Sequence, residues 1–231
     1  MNSDTPEASG ISPRRPSLGP SVEDVVAQLR QRIVRQDLAP GSRLRERQIA
    51  GELGVSRTVI RDALSILAER QLVVRYPNRG AEVVRLGRPE IIAIYEVRVA
   101  VEGLCARLAT ERAPAGAWEE LTVLFRSPAD DAVRHHDFDL YNSFISRFDQ
   151  QMIAYAANPV LADVLGTLAD RSAVLARRSV FLPGRAEQGL QLHRATLQAM
   201  RIGHAAEAER SKQQNLRLAR DYLLKFEGFV L

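Results

Sequence analysis

The stretch that decides the fold runs from Leu44 to Leu67 and reads LRERQIAGELGVSRTVIRDALSIL. Three apolar residues fall on one face of a short first helix: Ile49, Ala50 and Leu53. Gly54 follows directly, at the position where helix ends commonly need a left-handed backbone. Ser56 can then cap a second helix, because its hydroxyl can accept a hydrogen bond from a free backbone N–H group. This pattern predicts two helices, at residues 44–53 and 56 to about 71, joined by a tight corner.

The second of these helices is expected to have one buried face and one exposed face. Its apolar residues repeat at helical spacing: Ile60, Ala63, Leu64 and Leu67. The opposite face carries Arg57, Thr58 and Arg61 near the start of the helix. This arrangement is typical of a helix-turn-helix, in which the second helix enters the major groove of DNA with its N-terminal residues.

Composition sets limits on the class of protein. The 231 residues are 45% hydrophobic, enough for one large or two small domains with a real core. The sequence contains no apolar run near the roughly 20 residues of a membrane helix, and residues 1–20 lack the apolar segment of a secretory signal. The single cysteine, Cys105, excludes an internal disulfide and is expected to be buried. We therefore expect a cytoplasmic protein.

The positive charge is confined to the first part of the chain. Residues 1–86 contain 14 arginines and 10 acidic residues, whereas residues 87–231 contain 18 basic and 18 acidic residues. The net charge of +4 therefore belongs entirely to the part that carries the helix-turn-helix pattern. This coincidence favours a polyanion as the partner of that part.

The first 86 residues are expected to form a tail and one small domain. Residues 1–20 are rich in Pro, Ser and Gly and predict a disordered tail. Residues 21–86 begin with a helix from 22 to about 36, followed by a turn at 37–41 and the two helices described above. Residues 72–76 and 81–84 then predict a β-hairpin. A hairpin behind a recognition helix forms a wing, which places Arg79 at its tip.

The remaining residues, 87–231, are expected to be almost entirely helical. Residues 85–89 form the linker, because both the charge balance and the periodicity change there. Helical patterns cover residues 89–112, 114–125, 137–157, 159–181, 187–202 and 205–226, with a loop expected at 127–131. The fold class is therefore mainly α: a winged helix of three helices and a hairpin, followed by an antiparallel bundle of six or seven helices.

Taken together, these motifs resemble the GntR family of bacterial transcription regulators, in its FadR-like branch with an FCD-type effector domain. The resemblance covers roughly residues 22–223. Its most specific part is the string from Leu44 to Leu67, preceded by Pro40-Gly41 and followed by the wing motif Asn78-Arg-Gly80. Downstream landmarks lie in the helical half: Glu96-Val-Arg98, Glu102, Phe148, Asn158-Pro159 and His193.

The resemblance implies a set of DNA contacts and a mode of binding. Contacts with double-stranded DNA are implied for Arg47, Ser56, Arg57, Thr58, Arg61, Arg79 and Gly80. An arginine can bind guanine O6 and N7 with two parallel hydrogen bonds, which is the role we expect for Arg57 and Arg61. For Arg45 and Arg75, contact with DNA and simple solvation remain equal alternatives. A homodimer on a palindromic operator is expected, since one recognition helix reads only a few base pairs.

The resemblance also implies four metal-ligand positions in the helical domain, and this chain changes three of them. They fall at Ile145, Asp149, His193 and Asn215, where the family pattern has Asp, His, His and His. Three alternatives stay open. Asp149, His193 and Asn215 hold a divalent metal, the one candidate cofactor; or they form a metal-free pocket for an organic effector; or Asp149 and His193 are simply a buried pair, which would raise the pKa of His193.

A carboxylate effector is expected because the arginine fork matches a carboxylate. Arg98 is the candidate anchor, and the predicted effector site consists of Arg98, Asp149, His193 and Asn215. A salt bridge from Arg98 to Glu102, four residues on, is the alternative role. Further candidates for the pocket are Arg171, Arg177 and Arg178.

Two classes of function compete for this chain. The first is a ligand-responsive DNA-binding regulator, usually a repressor, released or modulated by a small metabolite. The alternative is a metal-dependent helical enzyme with a DNA-binding appendage. An enzyme needs a nucleophile paired with a base or an intact metal set, and the sequence offers neither pattern. We therefore expect a regulator and no enzyme activity.

Overall fold

The computed structural model describes residues 19–76 and 80–226. Within these ranges it contains ten helices and three short strands, so the predicted mainly α fold class is confirmed. Arg79, the predicted contact at the wing tip, and most of the predicted N-terminal tail lie outside the described residues. None of the helices in the described ranges is both long and apolar enough to cross a membrane.

The three N-terminal helices follow the sequence pattern closely. Helix α1 (Val22–Val34) begins at a capping box in which the Ser21 hydroxyl accepts from the Asp24 N–H and the Asp24 carboxylate accepts from the Ser21 N–H. Helix α2 (Glu46–Leu53) ends at Gly54, which adopts the expected left-handed backbone with φ of 66°. Helix α3 (Arg57–Glu69) begins at Ser56, whose hydroxyl accepts from the Val59 N–H at 3.3 Å. The corner between α2 and α3 is therefore set by two local caps.

The wing is a three-stranded antiparallel sheet instead of a simple hairpin. Strands β2 (Val73–Tyr76) and β3 (Gly80–Val83) form the predicted hairpin, and β1 (Arg43–Leu44) pairs with the outer side of β3. The sequence pattern started the first helix at Leu44, which was wrong because Leu44 pairs with Ala81 in the sheet. A strand of two residues is too short to show a periodicity.

Gly80 occupies a position that the sheet reserves for glycine. Its φ is +83°, and a Cβ atom there would lie 2.7 Å from the carbonyl oxygen of Leu44. A side chain would therefore meet both a strained backbone and the neighbouring strand.

Seven helices form the C-terminal bundle, within the predicted six or seven. They are α4 (Arg88–Arg112), α5 (Glu119–Leu124), α6 (Ser127–Arg134), α7 (Phe138–Ala156), α8 (Pro159–Val180), α9 (Arg185–Arg201) and α10 (Ala205–Lys225). The loop expected at residues 127–131 was wrong, because this segment is the start of α6. Its proline lies in the first turn, where the missing N–H group breaks no hydrogen bond of the helix. Three residues of α6 are buried: Ala129, Ala132 and Val133.

The winged helix packs directly against the bundle. One continuous core joins apolar residues of α1 and α3, such as Leu29 and Leu64, to Leu175 of α8 and Leu223 of α10. At the edge of this contact, the Asp170 carboxylate of α8 pairs with Arg30 of α1 and lies 3.8 Å from the guanidinium of Arg70. Since Arg70 caps the recognition helix α3, α8 touches two of the three helices that position the reading surface.

Candidate nucleic-acid interface and effector site

The predicted DNA contacts of α2 and α3 share one exposed surface. The side chains of Arg57 and Arg61 are 64% and 53% exposed, one turn apart at the start of α3. Arg47, Ser56 and Thr58 are exposed as well. The Ser56 hydroxyl also serves as the helix cap, so it has a structural role whether or not it contacts DNA.

Glu46 is a member of this surface that sequence reasoning missed. Its Oε2 atom lies 3.5 Å from a guanidinium nitrogen of Arg57 and 3.4 Å from one of Arg61. A carboxylate between two guanidinium groups holds them side by side and reduces their mutual repulsion. Glu46 is the first residue of α2, but its contacts with Arg57 and Arg61 depend on how α2 packs against α3, which the sequence does not show.

Arg75 connects the wing to the recognition helix. Its guanidinium donates to the Ser65 hydroxyl at 2.5 Å, and that hydroxyl donates to the carbonyl oxygen of Arg61. Arg45, the other arginine left open by the sequence, precedes α2 and is exposed. The wing strand is therefore fixed to the same turn of α3 that carries Arg61.

Inside the bundle, four charged side chains form what we call the ion cluster: Arg98, Glu102, Asp149 and Lys212. The Arg98 Nε atom donates to Glu102 Oε1 at 2.6 Å. The Lys212 ammonium lies 2.7 Å from Asp149 Oδ1 and 3.0 Å from Glu102 Oε2. Lys212 is 3% exposed and was not predicted as a site residue, although it is one of only two lysines in the chain.

The ion cluster keeps its members charged despite burial. Burial opposes ionisation of Glu102, but Arg98 and Lys212 outweigh it and lower the pKa of Glu102 to about 2. For Lys212, burial is likewise outweighed by Asp149 and Glu102, which raise the pKa of the ammonium. Asp149 is the member whose charged form is least favoured, because burial raises its pKa even though Lys212 offsets part of that effect.

His193 has a different environment from the one expected. Its Nδ1 atom lies 3.1 Å from the Tyr141 hydroxyl, and its ring packs edge-on against Phe125 and Phe148. Burial, with smaller contributions from Lys212 and Arg185, lowers the pKa of His193 well below its usual range. The alternative in which Asp149 pairs with His193 and raises its pKa was wrong, because the Lys212 ammonium binds the Asp149 carboxylate instead.

The remaining predicted ligand, Asn215, is also engaged by the protein. Its side-chain oxygen accepts from the Arg185 guanidinium at 2.7 Å, and its backbone carbonyl accepts from the same nitrogen at 3.3 Å. Arg185 was not a predicted site residue; its position at the start of α9 gave no signal in the sequence.

These contacts do not fit a divalent metal at Asp149, His193 and Asn215. Each of the three side chains has a different protein partner, and an ammonium group 2.7 Å from Asp149 would repel a metal cation. Among residues 19–76 and 80–226, no group of three His, Cys, Asp or Glu side chains is arranged to hold a metal. The predicted metal set is therefore not supported, and the chemistry of the pocket has to be derived from the protein groups alone.

A cavity of about 460 Å³, the effector cavity, reaches the ion cluster from the domain junction. Its lining includes Asp149 and Glu102, and most of the other lining residues belong to α7 and α8. Helix α1 of the winged helix closes one side with four residues: Arg30, Gln31, Val34 and Arg35. A ligand here would touch both the bundle and the winged helix.

Only some of the predicted effector residues line the effector cavity. Asp149 lines the effector cavity, as does Ile145, whereas Arg98, His193 and Asn215 are not among its described lining residues. Arg98 has taken its alternative role, the salt bridge to Glu102. Arg177, one of the candidate pocket residues, does line the cavity.

Comparison with known proteins agrees with this two-part architecture. The family described as "Bacterial regulatory proteins, gntR family" matches residues 21–83, and the FCD domain family matches residues 93–217. The solved structure of E. coli McbR/YncC superposes with a TM-score of 0.75 at 18% identity, over 90% of this chain and 98% of that one. That likeness supports the fold.

Two curated relatives extend the comparison. An uncharacterized HTH-type transcriptional regulator of Streptomyces ambofaciens is 34% identical over 122 residues, which is 52% of this chain and about half the length of that relative. A probable D-xylose utilization operon transcriptional repressor of Paenarthrobacter nicotinovorans is 27% identical over 190 residues, 80% of this chain and 82% of the relative. On the family matches, the chain belongs to the gntR family of bacterial regulatory proteins and carries an FCD domain behind its winged helix.

Proposed function

We propose that this protein is a sequence-specific DNA-binding transcription regulator in which α3 reads the major groove. The observation that carries the proposal is the exposed pair Arg57 and Arg61, held side by side by Glu46 at the start of α3. Two guanidinium forks at this spacing match guanine edges in neighbouring base pairs. The basic excess of residues 1–86 adds the attraction to phosphate that such binding requires.

A homodimer on a palindromic operator completes this proposal. One recognition helix contacts too few base pairs for a unique site, and two-fold protein symmetry matches two inverted half-sites. The bundle offers apolar surface for such contact. Val97 and Leu104 are exposed on α4, and Val160 and Val164 are exposed on α8. Because a bacterial regulator meets chromosomal DNA in the cytoplasm, we propose that location for this protein.

We further propose that a small carboxylate metabolite binds in the effector cavity without a metal. Three arginines line the cavity. Arg30 and Arg177 are already paired with Asp170 and Asp139, so Arg35 is the arginine that can receive the carboxylate. Asp149 also lines the cavity and offers an acceptor, so the ligand should also carry a hydroxyl or amino group. This assignment moves the expected carboxylate anchor from Arg98 to Arg35, at the junction.

The position of the effector cavity supports control of DNA binding by the ligand. Because α1 forms one of its sides, a ligand that binds one arrangement of α1 and α8 more tightly than another shifts the population toward that arrangement. The Asp170 contacts with Arg30 and Arg70 connect this movement to α3. The Paenarthrobacter relative is named as a repressor, and we propose repression, relieved by the ligand, for this chain too.

The DNA-binding proposal is tested by fluorescence anisotropy with DNA from the intergenic region upstream of the protein's gene. Replacing Arg57 or Arg61 by alanine should each weaken binding by about 5- to 150-fold, the equivalent of about 1–3 kcal/mol for a bidentate contact to guanine. Arg134→Ala, an equal charge change on the exposed surface of α6, is the matched control and should leave affinity unchanged. Equal affinities for wild type and both α3 variants would contradict the proposal.

A further inference from the structure

A second cavity, of about 480 Å³, adjoins the effector cavity at the junction of the two domains. We call it the junction cavity. It lies between the end of α1, with Arg35 and Gln36, and the corner between α8 and α9. The remaining lining residues are Arg177, Arg178, Phe181, Leu182, Pro183 and Phe226. Its volume falls in the range of sites for small organic ligands.

The charge in the junction cavity is entirely positive. Its described lining includes three arginines and no aspartate or glutamate. The Arg177 guanidinium is engaged by Asp139 and stacks on the Phe181 ring at 5.0 Å. Burial and, to a smaller extent, the nearby Arg35 lower the pKa of Arg177, while Asp37 offsets part of that shift. An anion in the cavity would relieve the repulsion between Arg35 and Arg177.

Arg178 gives the strongest indication of a ligand. The residue is only 4% exposed, yet its Nε and Nη1 atoms have no hydrogen-bond partner among the described residues. Burial lowers its pKa, but a guanidinium stays protonated in proteins. A buried charge with unpaired donors is costly unless a counter-charge meets it. The cavity that Arg178 lines is the place where such a group could bind.

The apolar part of the lining defines the rest of the ligand. Phe181 is 51% exposed, unusual for a phenylalanine, and Phe226 lies on the same cavity. The junction cavity thus combines an unpaired guanidinium with aromatic rings. We propose that it binds a small aromatic oxyanion, with the carboxylate or phosphate on Arg178 and the ring against Phe181. Because α1 and the α8–α9 corner both line the cavity, the occupant would hold the winged helix against the bundle.

Thermal unfolding with defined probes tests this proposal on the full chain. The probes are benzoate and phenyl phosphate at 10 mM, with inorganic phosphate and with NaCl at matched ionic strength as references. The wild-type Tm should rise by about 2 °C or more with at least one aromatic probe relative to both references. The two probes distinguish a carboxylate site from a phosphate site. No rise with either, or an equal rise with inorganic phosphate, would overturn the proposal.

Single substitutions test whether the probes bind in the junction cavity. Arg178→Gln should abolish the rise in Tm, and Phe181→Ala, which changes an exposed ring, should weaken probe binding at least fivefold by calorimetry without threatening the fold. Arg134→Gln, which removes an exposed charge on α6, should bind as wild type does. Unchanged binding in Phe181→Ala or Arg178→Gln would overturn the assignment. Failure here leaves the DNA-binding proposal untouched, since no DNA is measured.

Discussion

Replacing Lys212 by methionine removes the ammonium that bridges Glu102 and Asp149 while keeping a side chain of similar length. Removing one partner from a buried ion pair typically costs about 3–5 kcal/mol, because the remaining charge is left unpaired. Here Glu102 keeps Arg98 at 2.6 Å, and the Asp149 side chain is 31% exposed toward the effector cavity. Both features reduce the penalty, so we expect a loss of about 3 kcal/mol at pH 7.5.

The pH dependence of this loss follows from the two carboxylates. The folded-state pKa of Asp149 is already raised, and without Lys212 it rises further, so the penalty is present at neutral pH and disappears as the carboxyl is protonated. In the wild type, Glu102 has a pKa lowered to about 2. Its stabilising contribution is therefore present above the ordinary value of 4.5 and is lost as the pH falls toward 2. Both effects reduce the difference in free energy of unfolding between wild type and Lys212→Met as the pH falls from 7.5 to 4.

Urea unfolding followed by circular dichroism at pH 7.5 and at pH 4 measures both quantities. Lys225→Met, which removes the other lysine from an exposed position, is the matched control and should change the free energy of unfolding by less than about 0.5 kcal/mol. The reasoning is refuted if Lys212→Met costs less than about 1 kcal/mol at pH 7.5, or if its cost does not shrink at pH 4.

Three further outcomes are expected. Glu46→Gln should strengthen binding to DNA of random sequence, measured by anisotropy at low salt, because the carboxylate no longer neutralises Arg57 and Arg61; unchanged or weaker binding to random DNA would contradict this neutralising effect. Gly80→Ala should lower the free energy of unfolding by at least about 1–2 kcal/mol, since its Cβ meets Leu44, whereas Gly51→Ala, where a Cβ meets nothing within 4 Å, should be neutral or stabilising by up to about 1 kcal/mol. Dialysis against EDTA should leave the Tm unchanged and elemental analysis should find less than stoichiometric metal; stoichiometric zinc or manganese would show that the ion cluster has been misread.

Local signals explain why the winged helix was predictable from sequence. Gly54 and Ser56 each fix a helix end through their own backbone or hydroxyl, and the apolar spacing from Ile60 to Leu67 is a property of one helix. Strand β1 was not predicted because the extended conformation of its two residues depends on pairing with β3, 37 residues further along the chain. The exposed surface of α3 was thus inferred correctly, while its partner Glu46 required the packing of α2 on α3.

The effector site was less predictable because its pairings join distant segments. Asp149 lies 63 residues from Lys212, and Asn215 lies 30 residues from Arg185. Aligned ligand positions indicated where a pocket belongs, and Asp149 does line the effector cavity. The aligned ligand positions did not indicate that Lys212, one turn before Asn215, would lie beside Asp149. A substitution at a family ligand position indicates that the site has changed, but it does not identify the side chain that now fills the site.

Recognition of guanine edges by Arg57 and Arg61 can be measured with operator DNA in which single guanines are replaced by 7-deazaguanine. This base lacks the N7 acceptor and retains O6 and its pairing face. We expect that, at one guanine in each half-site, the replacement weakens wild-type binding about 5-fold or more and has little additional effect on Arg57→Ala or Arg61→Ala. If every replacement weakens the variants as much as it weakens the wild type, or if no replacement affects the wild type, the two arginines do not read guanine edges.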